Sequence, residues 1–451
     1  MRVALVGAGI VGVTTAYELA ADGHDVSVFE RTGGVASETS FANAGVIAPG
    51  YVTPWAAPGM AGKVLRHLLS RHTPVRLHAA LGPATIGWLV QWWRASRLRT
   101  YQANRARMQR LAVYSRERLH HVSSELRLDW ERSDGYLVLL RSARDLALAR
   151  PGLDLLERGG TRFALLDAAG CRSHEPGLNP ETDLHAGIHL PDDEVGNCRQ
   201  FAYLLREEAQ RLGARFAFHT RVERIEAGAQ PGVVHRRMAV EAGPTTQHAR
   251  ALPADPAPPH AATEPMPEGP TTERYDAVIV CAGVGSRPLL RPLGVTLPLL
   301  PVYGYSVTAP LRHLPQHPDH GPRSGVMDER YKVAISRLGQ RVRVAGCAEI
   351  GGAAQRHNEA AIATLYKVMH DWFPGSALTG QAQHWKGARP MLPDGPPVIG
   401  RSGADGVWLN LGHGGSGWAL ACGSARLLGD LVAGRTPAID TDGLGIERLR
   451  T

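Results

Sequence analysis

Near the start of the chain stand Gly7-Ala8-Gly9-Ile10-Val11-Gly12, followed eighteen residues later by Glu30. These residue types at this spacing can hold a dinucleotide. Gly7 permits a tight turn. Gly9 lets the backbone approach a pyrophosphate, whose charge rests on a helix N-terminus. Gly12 lets that helix pack close to the strand before it. Glu30 can accept a hydrogen bond from a ribose hydroxyl. The same letters also fit a Gly-rich turn in an ordinary α/β domain, and they do not separate FAD from NAD.

The elements that must position these residues are legible around them. Arg2 to Val6 is an apolar run of strand length. Val11, Thr15 and Leu19 then recur at helical spacing, Gly23 stops the helix, and Val26 to Phe29 forms a second strand ending at Glu30. Arg31 to Ala48 is rich in Gly, Ser, Thr and Asn, and offers donors without bulk. Its alternative is a plain surface loop. Far along the chain, Tyr275 to Cys281 is a buried strand running into Ala282 and Gly283. Val407 to Asn410 is another, leading into Gly412-His413-Gly414-Gly415-Ser416-Gly417-Trp418.

The 451 residues suffice for two or three domains, or one two-part α/β enzyme. With the fingerprint beginning at Met1 and no long apolar run, neither a signal peptide nor a spanning helix is expected. Cys171, Cys198, Cys281, Cys347 and Cys422 are scattered without a CxxC pattern. They read as buried, reduced thiols of a cytoplasmic protein, with no metal site. The net charge of +8 has one source. Residues 61–118 hold twelve basic side chains and one acid, a local +11, leaving about −3 elsewhere. Ile86, Trp88, Leu89, Trp92 and Trp93 lie within that segment. No nucleic-acid-reading motif accompanies the charge. The two readings left are a peripheral membrane contact and a core of tryptophans beneath a solvated arginine face.

Asp129 to Leu140 and Gly187 to Leu190 read as strands, and Leu146 to Leu156 and Gln200 to Leu212 as helices. Arg215 to Ile225 and Gly232 to Glu241 read as a hairpin-like pair. Gly243 to Thr272 contains eight prolines in thirty residues and reads as a disordered insertion that can be deleted. Leu300 to Thr308, Tyr331 to Arg337 and Arg341 to Gly346 read as an antiparallel sheet of a second lobe, and Ala360 to Phe373 as an amphipathic helix.

Together GAGIVG with Glu30, ETSFANAG, PGYVTPWAAPG, MDERYKVAISR, KGARPMLPDGPPVIGR and the NLGHGGSGWALACG stretch resemble the D-amino acid dehydrogenases of the FAD-dependent D-amino acid oxidase/glycine oxidase superfamily. The resemblance runs from Met1 to the C-terminus, broken at the proline-rich insertion. It implies an α/β protein with a Rossmann-like FAD-binding domain interleaved with a mixed or antiparallel-sheet substrate domain. The expected division is 1–50, 191–290 and 385–451 for the FAD domain and 51–190 and 291–384 for the substrate domain. It implies oxidative deamination of D-amino acids such as D-alanine to 2-oxo acids and ammonia, with electrons passed to an acceptor such as quinone. Arg389, in the G-x-R-P stretch, is then the residue for the substrate carboxylate, which suits a bidentate guanidinium. Tyr331 is expected at the substrate sheet, and Tyr51 and Tyr305 at the pocket rim. His413 is either a flavin-loop residue or a packing histidine. The same resemblance carries cofactor contacts to Val3, Ile10, Val11, Arg31, Ser40, Asn43, Ala44, Gly45, Val222, Cys281, Ala282, Gly283, Gly412, Gly414, Gly415, Ser416 and Gly417. Tyr303 departs from the pattern, since relatives often carry Lys or Arg there.

Three alternatives stay open at the level of sequence. One is an oxidase or dehydrogenase of glycine, sarcosine or a D-proline derivative. Another is a non-catalytic FAD electron-relay subunit. The third, an NAD-dependent dehydrogenase, leaves the C-terminal Gly-rich loop without a use.

Overall fold

A computed structural model describes residues 1–60, 62, 72–78, 81–239, 269–312 and 320–449. Two sheets organise them. The first has six strands in the order Val398–Arg401, Val407–Leu411, Ala277–Val280, Arg2–Val6, Asp25–Phe29 and Arg215–Ala217. Every neighbouring pair is parallel except Val398–Arg401 with Val407–Leu411. Both faces of this sheet are covered, which explains its uninterrupted apolar strands. On one face Val3, Leu5, Val26, Val28 and Ile279 pack with the helices Ile10–Ala21, Leu98–Glu125, Cys198–Arg211 and Gly417–Val432. On the other, Ala4, Val6, Val278 and Leu409 pack with Ile225 and Val233. Those two residues belong to a three-stranded antiparallel sheet of Thr220–Glu226, Gly232–Arg237 and Thr271–Arg274.

The second sheet has ten strands and is mixed. Gln383–Met391 lies at one edge, then Leu300–Pro310, Arg341–Ile350, Val333–Leu338, Gly325–Asp328, Ser133–Leu140 and Ala186–Val195. Alternation sends Tyr305, Val307, Ile335 and Val344 to one face, where the helix Glu359–Trp372 buries them with Leu365, Val368 and Trp372. The opposite face meets loops from the nucleotide side. Ser336 Oγ donates to Ala44 O at 2.7 Å, Arg343 Nη1 to Asn43 O at 3.0 Å, and Thr39 Oγ1 to Ala388 O at 2.7 Å.

Several expectations need correction here. The edge strand Gln383–Met391 pairs along its length with Leu300–Pro310, so residues 385–391 belong to the second sheet, not the nucleotide sheet. Ala186–Val195 and Val46–Ile47 lie in that sheet too. The helix Leu98–Glu125 buries Met108, Leu111 and Leu119 in the nucleotide-side core, although it falls within the span expected for the substrate domain. The stretch 215–225 is two strands in two sheets, broken at His219, whose φ is 52°. Thr271 and Thr272 pair with His235 and Val234, so the end of the proline-rich segment does hold a ladder; its residues 243–268 lie outside the described residues. Tyr331 sits in the turn before Val333–Leu338.

The basic segment is also resolved into parts. Lys63, Arg66 and Arg71 lie outside the described residues. Arg118 pairs with Glu18, Arg107 with Asp442 and Arg110 with Asp440. Trp88 and Trp92 are 3% and 6% exposed and pack on Trp55, with ring centroids 6.0 and 5.5 Å apart. Trp93 faces outward from the helix Pro83–Ala95. Among the described residues no helix is long and apolar enough to cross a membrane.

Candidate active site

The nucleotide loops converge because their strands are parallel and adjacent. Arg2–Val6 ends at Gly7, Asp25–Phe29 at Glu30, Ala277–Val280 at Cys281 and Val407–Leu411 at Gly412. All four ends lie at the carboxyl edge of one sheet, where open α/β sheets bind ligands. The register brings Val6 beside Phe29 and Val280. A chain separation of 405 residues between Gly7 and Gly412 is thus removed by pairing alone.

The residues present fit an FAD. Gly7 has φ 103°, where a side chain would be strained. A Cβ at Gly12 would overlap Gly7 O, so the helix stands as close to the turn as backbone allows. A Cβ at Gly9 would meet little besides Ser40 Oγ at 3.5 Å, leaving the approach to its backbone open. Ser40 Oγ accepts from Ile10 N–H at 3.1 Å and fixes the helix entrance. Glu30 is buried; its Oε2 accepts from Ala8 N–H at 2.7 Å and its Oε1 from Thr32 N–H at 2.9 Å. Those bonds aim the carboxylate along the edge where a ribose would lie. Beside Ala282 and Gly283, the buried Ser286 hydroxyl has no partner among the described residues. Gly12→Ala is accordingly expected to lose bound flavin, because backbone cannot yield as a side chain does. Flavin absorbance per polypeptide after desalting measures it, and full retention would refute the packing role.

The remaining cofactor candidates fall into two groups. Asn43, Ala44 and Gly45 form the loop tied to Arg343 and Ser336, and Asn43 Oδ1 accepts from Gly45 N–H at 3.0 Å. Gly414 and Gly415 lie against Met391 Sδ and Arg389 Cδ, so the C-terminal loop closes over the edge strand. Ser416 precedes the helix Gly417–Val432. Val3 is wholly buried within the strand, and Val11 packs on the same core. Val222 lies in the three-stranded sheet opposite His235. Arg31 is exposed and paired with Glu38.

Arg389 occupies the sheet face that looks toward these loops. Its Nη1 donates to Cys347 O at 2.7 Å, and among the described residues no carboxylate pairs with it. Burial lowers its pKa. Its guanidinium lies over Gly304, where any Cβ would overlap it. Tyr51 lies on the same face, packed with Tyr136, Met327 and Ala334. Its hydroxyl donates to Glu329 Oε2 at 2.7 Å and accepts from Lys332 Nζ at 3.0 Å. Burial, then Glu329, raises its pKa well above the usual phenol, so it stays protonated.

The other expected side chains are not gathered there. Tyr305 points to the opposite face, buried, with its hydroxyl on Glu349; burial, then Glu349, raises its pKa. Tyr331 also belongs to that face, with Arg141 5.2 Å from its ring. His413 turns inward, Nε2 3.0 Å from Ser424 Oγ, and burial lowers its pKa to about 3. It is a neutral packing histidine; the loop contributes backbone. At Tyr303, where a charge-based role was already in doubt, the adjacent strand places Lys386 Nζ 4.4 Å from the ring centroid and 2.9 Å from Glu349. Sequence reasoning passed over Glu329 and Lys332, which anchor Tyr51. Their signal was the charged turn inside MDERYKVAISR.

Comparison with known proteins agrees with this architecture. The family profile described as FAD dependent oxidoreductase matches residues 2–431. A D-amino acid dehydrogenase of Rhizorhabdus wittichii is 42% identical over 455 residues, covering 99% of this chain and all of that protein. One of Cereibacter sphaeroides is 42% identical over 452 residues, covering 99% of this chain and 95% of its own. Glycine oxidase from Geobacillus kaustophilus superposes with a TM-score of 0.71 at 19% identity, covering 98% of this chain and 97% of that one. From the fingerprint edge to the Gly-rich loop that closes on Arg389, the chain belongs to the FAD-dependent oxidoreductase family.

Proposed function

We propose that this protein is an FAD-dependent D-amino acid dehydrogenase that converts a D-amino acid and water to a 2-oxo acid and ammonia while reducing an electron acceptor. The observation that carries the reading is Arg389: a partly buried guanidinium with a backbone carbonyl as its protein partner, beneath the loop 412–417. A buried cation without an acid is costly, and a substrate carboxylate supplies one. Bound FAD supplies the two-electron oxidising chemistry. Glu30, Ser40 and the backbone of 7–12, 281–283 and 412–417 would hold it.

The chain's own residues then position and exclude. Arg389 fixes the carboxylate, which orients the α-carbon relative to the loop face. Backbone N–H groups of 414–417 would serve to stabilise negative charge on the reduced cofactor. Tyr51, held by Glu329 and Lys332, presents a neutral hydroxyl on the same sheet face. With no carboxylate paired to Arg389 among the described residues, the site is read as relying on positioning rather than a strong base. The decisive experiment is a D- and L-amino acid panel with the purified holoprotein, an artificial dye acceptor and an oxygen electrode. Dye-linked oxidation of D-amino acids with little oxygen uptake is expected. Turnover confined to L-amino acids, or none at all, refutes the reading.

A membrane quinone as acceptor is favoured by one surface. On the helix Pro83–Ala95, Ile86, Val90 and Trp93 are 52%, 42% and 59% exposed and recur at i, i+4 and i+7. Exposed Leu98, Arg94, Arg97 and Arg99 flank them. This apolar ridge among arginines suits an anionic leaflet's headgroup zone, with each basic residue contributing on the order of 1 kcal/mol. The inner side of the same helix reaches the site: Trp88 Nε1 donates to Met391 O at 3.2 Å, two residues from Arg389. Cosedimentation with anionic liposomes is expected at low salt, to weaken as salt rises and to drop in Trp93→Ser. Absence of binding at low salt leaves the ridge without a membrane role.

A further inference from the structure

Arg389 stands on an edge strand. Gln383–Met391 ends the second sheet, and among the described residues its one strand neighbour is Leu300–Pro310. An edge strand presents unpaired carbonyls on its open side. Two carbonyls of this strand, one on each side of Arg389, are taken by side chains from distant parts of the chain. Thr39 Oγ1 donates to Ala388 O at 2.7 Å, and Trp88 Nε1 donates to Met391 O at 3.2 Å. Thr39 is the nearer of the two, since the carbonyl it holds belongs to the peptide that carries the Arg389 nitrogen. Its own place is fixed from both sides. Ser40, next to it, accepts from Ile10 N–H at 3.1 Å, at the entrance of the dinucleotide helix. Further along the same loop, Asn43 O and Ala44 O accept from Arg343 Nη1 and Ser336 Oγ. Thr39 is thus held between the dinucleotide turn and the second sheet, and its hydroxyl is a fixed peg on the strand of Arg389.

We propose that Thr39 is a positioning residue of the reaction, holding the Arg389 backbone so that the guanidinium meets the substrate carboxylate in one orientation. The proposal rests on the D-amino acid dehydrogenase reading, in which Arg389 binds that carboxylate, and adds the residue that ties this role to the dinucleotide loop. The guanidinium makes one hydrogen bond of its own among the described residues, from Nη1 to Cys347 O at 2.7 Å. Its other donors are aimed by the backbone from which the side chain springs. Removing the Thr39 hydroxyl leaves the ladder with Leu300–Pro310 in place. The strand therefore stays in its sheet, and only its open side is freed. A looser guanidinium binds the carboxylate more weakly, while the chemical step, which uses no group of Thr39, keeps its rate.

The test uses the full-length, FAD-loaded protein and its Thr39→Val and Thr39→Ser variants. It measures kcat and KM for D-alanine and the inhibition constant of propionate, which keeps the carboxylate without the amino group. Thr39→Val keeps the branched shape and loses the donor. Loss of one hydrogen bond predicts a rise of about 3- to 10-fold in KM and in the propionate constant, with kcat and flavin absorbance per polypeptide unchanged. Thr39→Ser, which keeps the hydroxyl, should behave as the parent. In an Arg389→Ala background Thr39→Val should have no further effect, because no guanidinium remains to be aimed. An unchanged KM in Thr39→Val overturns the proposal. So does loss of flavin from that variant, which marks Thr39 as a cofactor contact, and so does an undiminished effect in the Arg389→Ala background. Should Thr39→Val fail to fold, Thr39→Ala decides by the same readings. Failure of the underlying reading looks different, since the parent protein would then oxidise no D-amino acid.

Discussion

Arg389→Ala is expected to lower kcat/KM for D-alanine by about 30-fold to several thousand-fold while the flavin stays bound. The range follows from the loss of about 2–5 kcal/mol when one partner of a desolvated charge pair is truncated, at about 1.4 kcal/mol per tenfold. The effect is large because the guanidinium sits against the loop 412–417 with no acid paired to it among the described residues. Arg389→Lys should recover only part of the loss. An ammonium keeps the charge but not the planar fork, so its donors cannot form the bidentate carboxylate pair in the geometry that also serves Cys347 O. Flavin retention separates this from misfolding, because the loops around Gly7 and Glu30 make no hydrogen bond to Arg389. Full activity in Arg389→Ala would refute the assignment.

Gly304→Ala is the second large effect, and it leaves every charged residue of the chain unsubstituted. The added methyl would overlap the Arg389 guanidinium, so the side chain must leave its place over the strand. A misplacement of about 1 Å in a positioning group can cost about 100-fold in rate, so kcat/KM is expected to fall between about tenfold and a few hundredfold. KM should bear much of the loss, since carboxylate binding is displaced rather than abolished. Thermal stability should change little, because the obstructed group is the far end of a flexible side chain. Stopped-flow reduction and a melting curve on the same sample distinguish the two. A variant with unchanged KM would show that the guanidinium has room to work elsewhere.

The nucleotide half was legible because its chemistry is local. A strand, six residues of turn, a helix and an acid follow one another without interruption, so one pass through the sequence points to a dinucleotide, though not to which one. The strand ends at Cys281 and Gly412 were legible for a similar reason: small residues follow short apolar runs. The second sheet was harder to read, because which face a side chain takes depends on register. Tyr305 lies three rows from Arg389's partner Val302, and the odd count sends it to the far face. The ladder with Arg341–Ile350 is also shifted between Tyr303 and Tyr305, near Cys347 with its φ of 63°. Tyr331 was misplaced because the apolar run beginning at Val333 suggests a strand that starts two residues too early, inside the charged turn. The basic segment could not be divided from sequence, because some of its arginines pair with acids distant in the chain such as Glu18 and Asp442 while Arg94, Arg97 and Arg99 stay exposed.

The parallel order of the nucleotide sheet has a consequence for how the protein is made. Its first strand is flanked by residues 277–280, and those in turn by 407–411. During synthesis the N-terminal fingerprint emerges first, yet its sheet cannot close until nearly the whole chain has left the ribosome. The helix that follows the last strand is bound back to the first: Arg426 reaches Glu18 at 2.9 Å and Asp22 at 2.6 Å. Contacts of such long range are slow to form and leave apolar strands exposed meanwhile. Nascent chains stalled before residue 407 should therefore be protease-sensitive and engage chaperones, and flavin should be captured late, as a ligand that seals a nearly finished polypeptide.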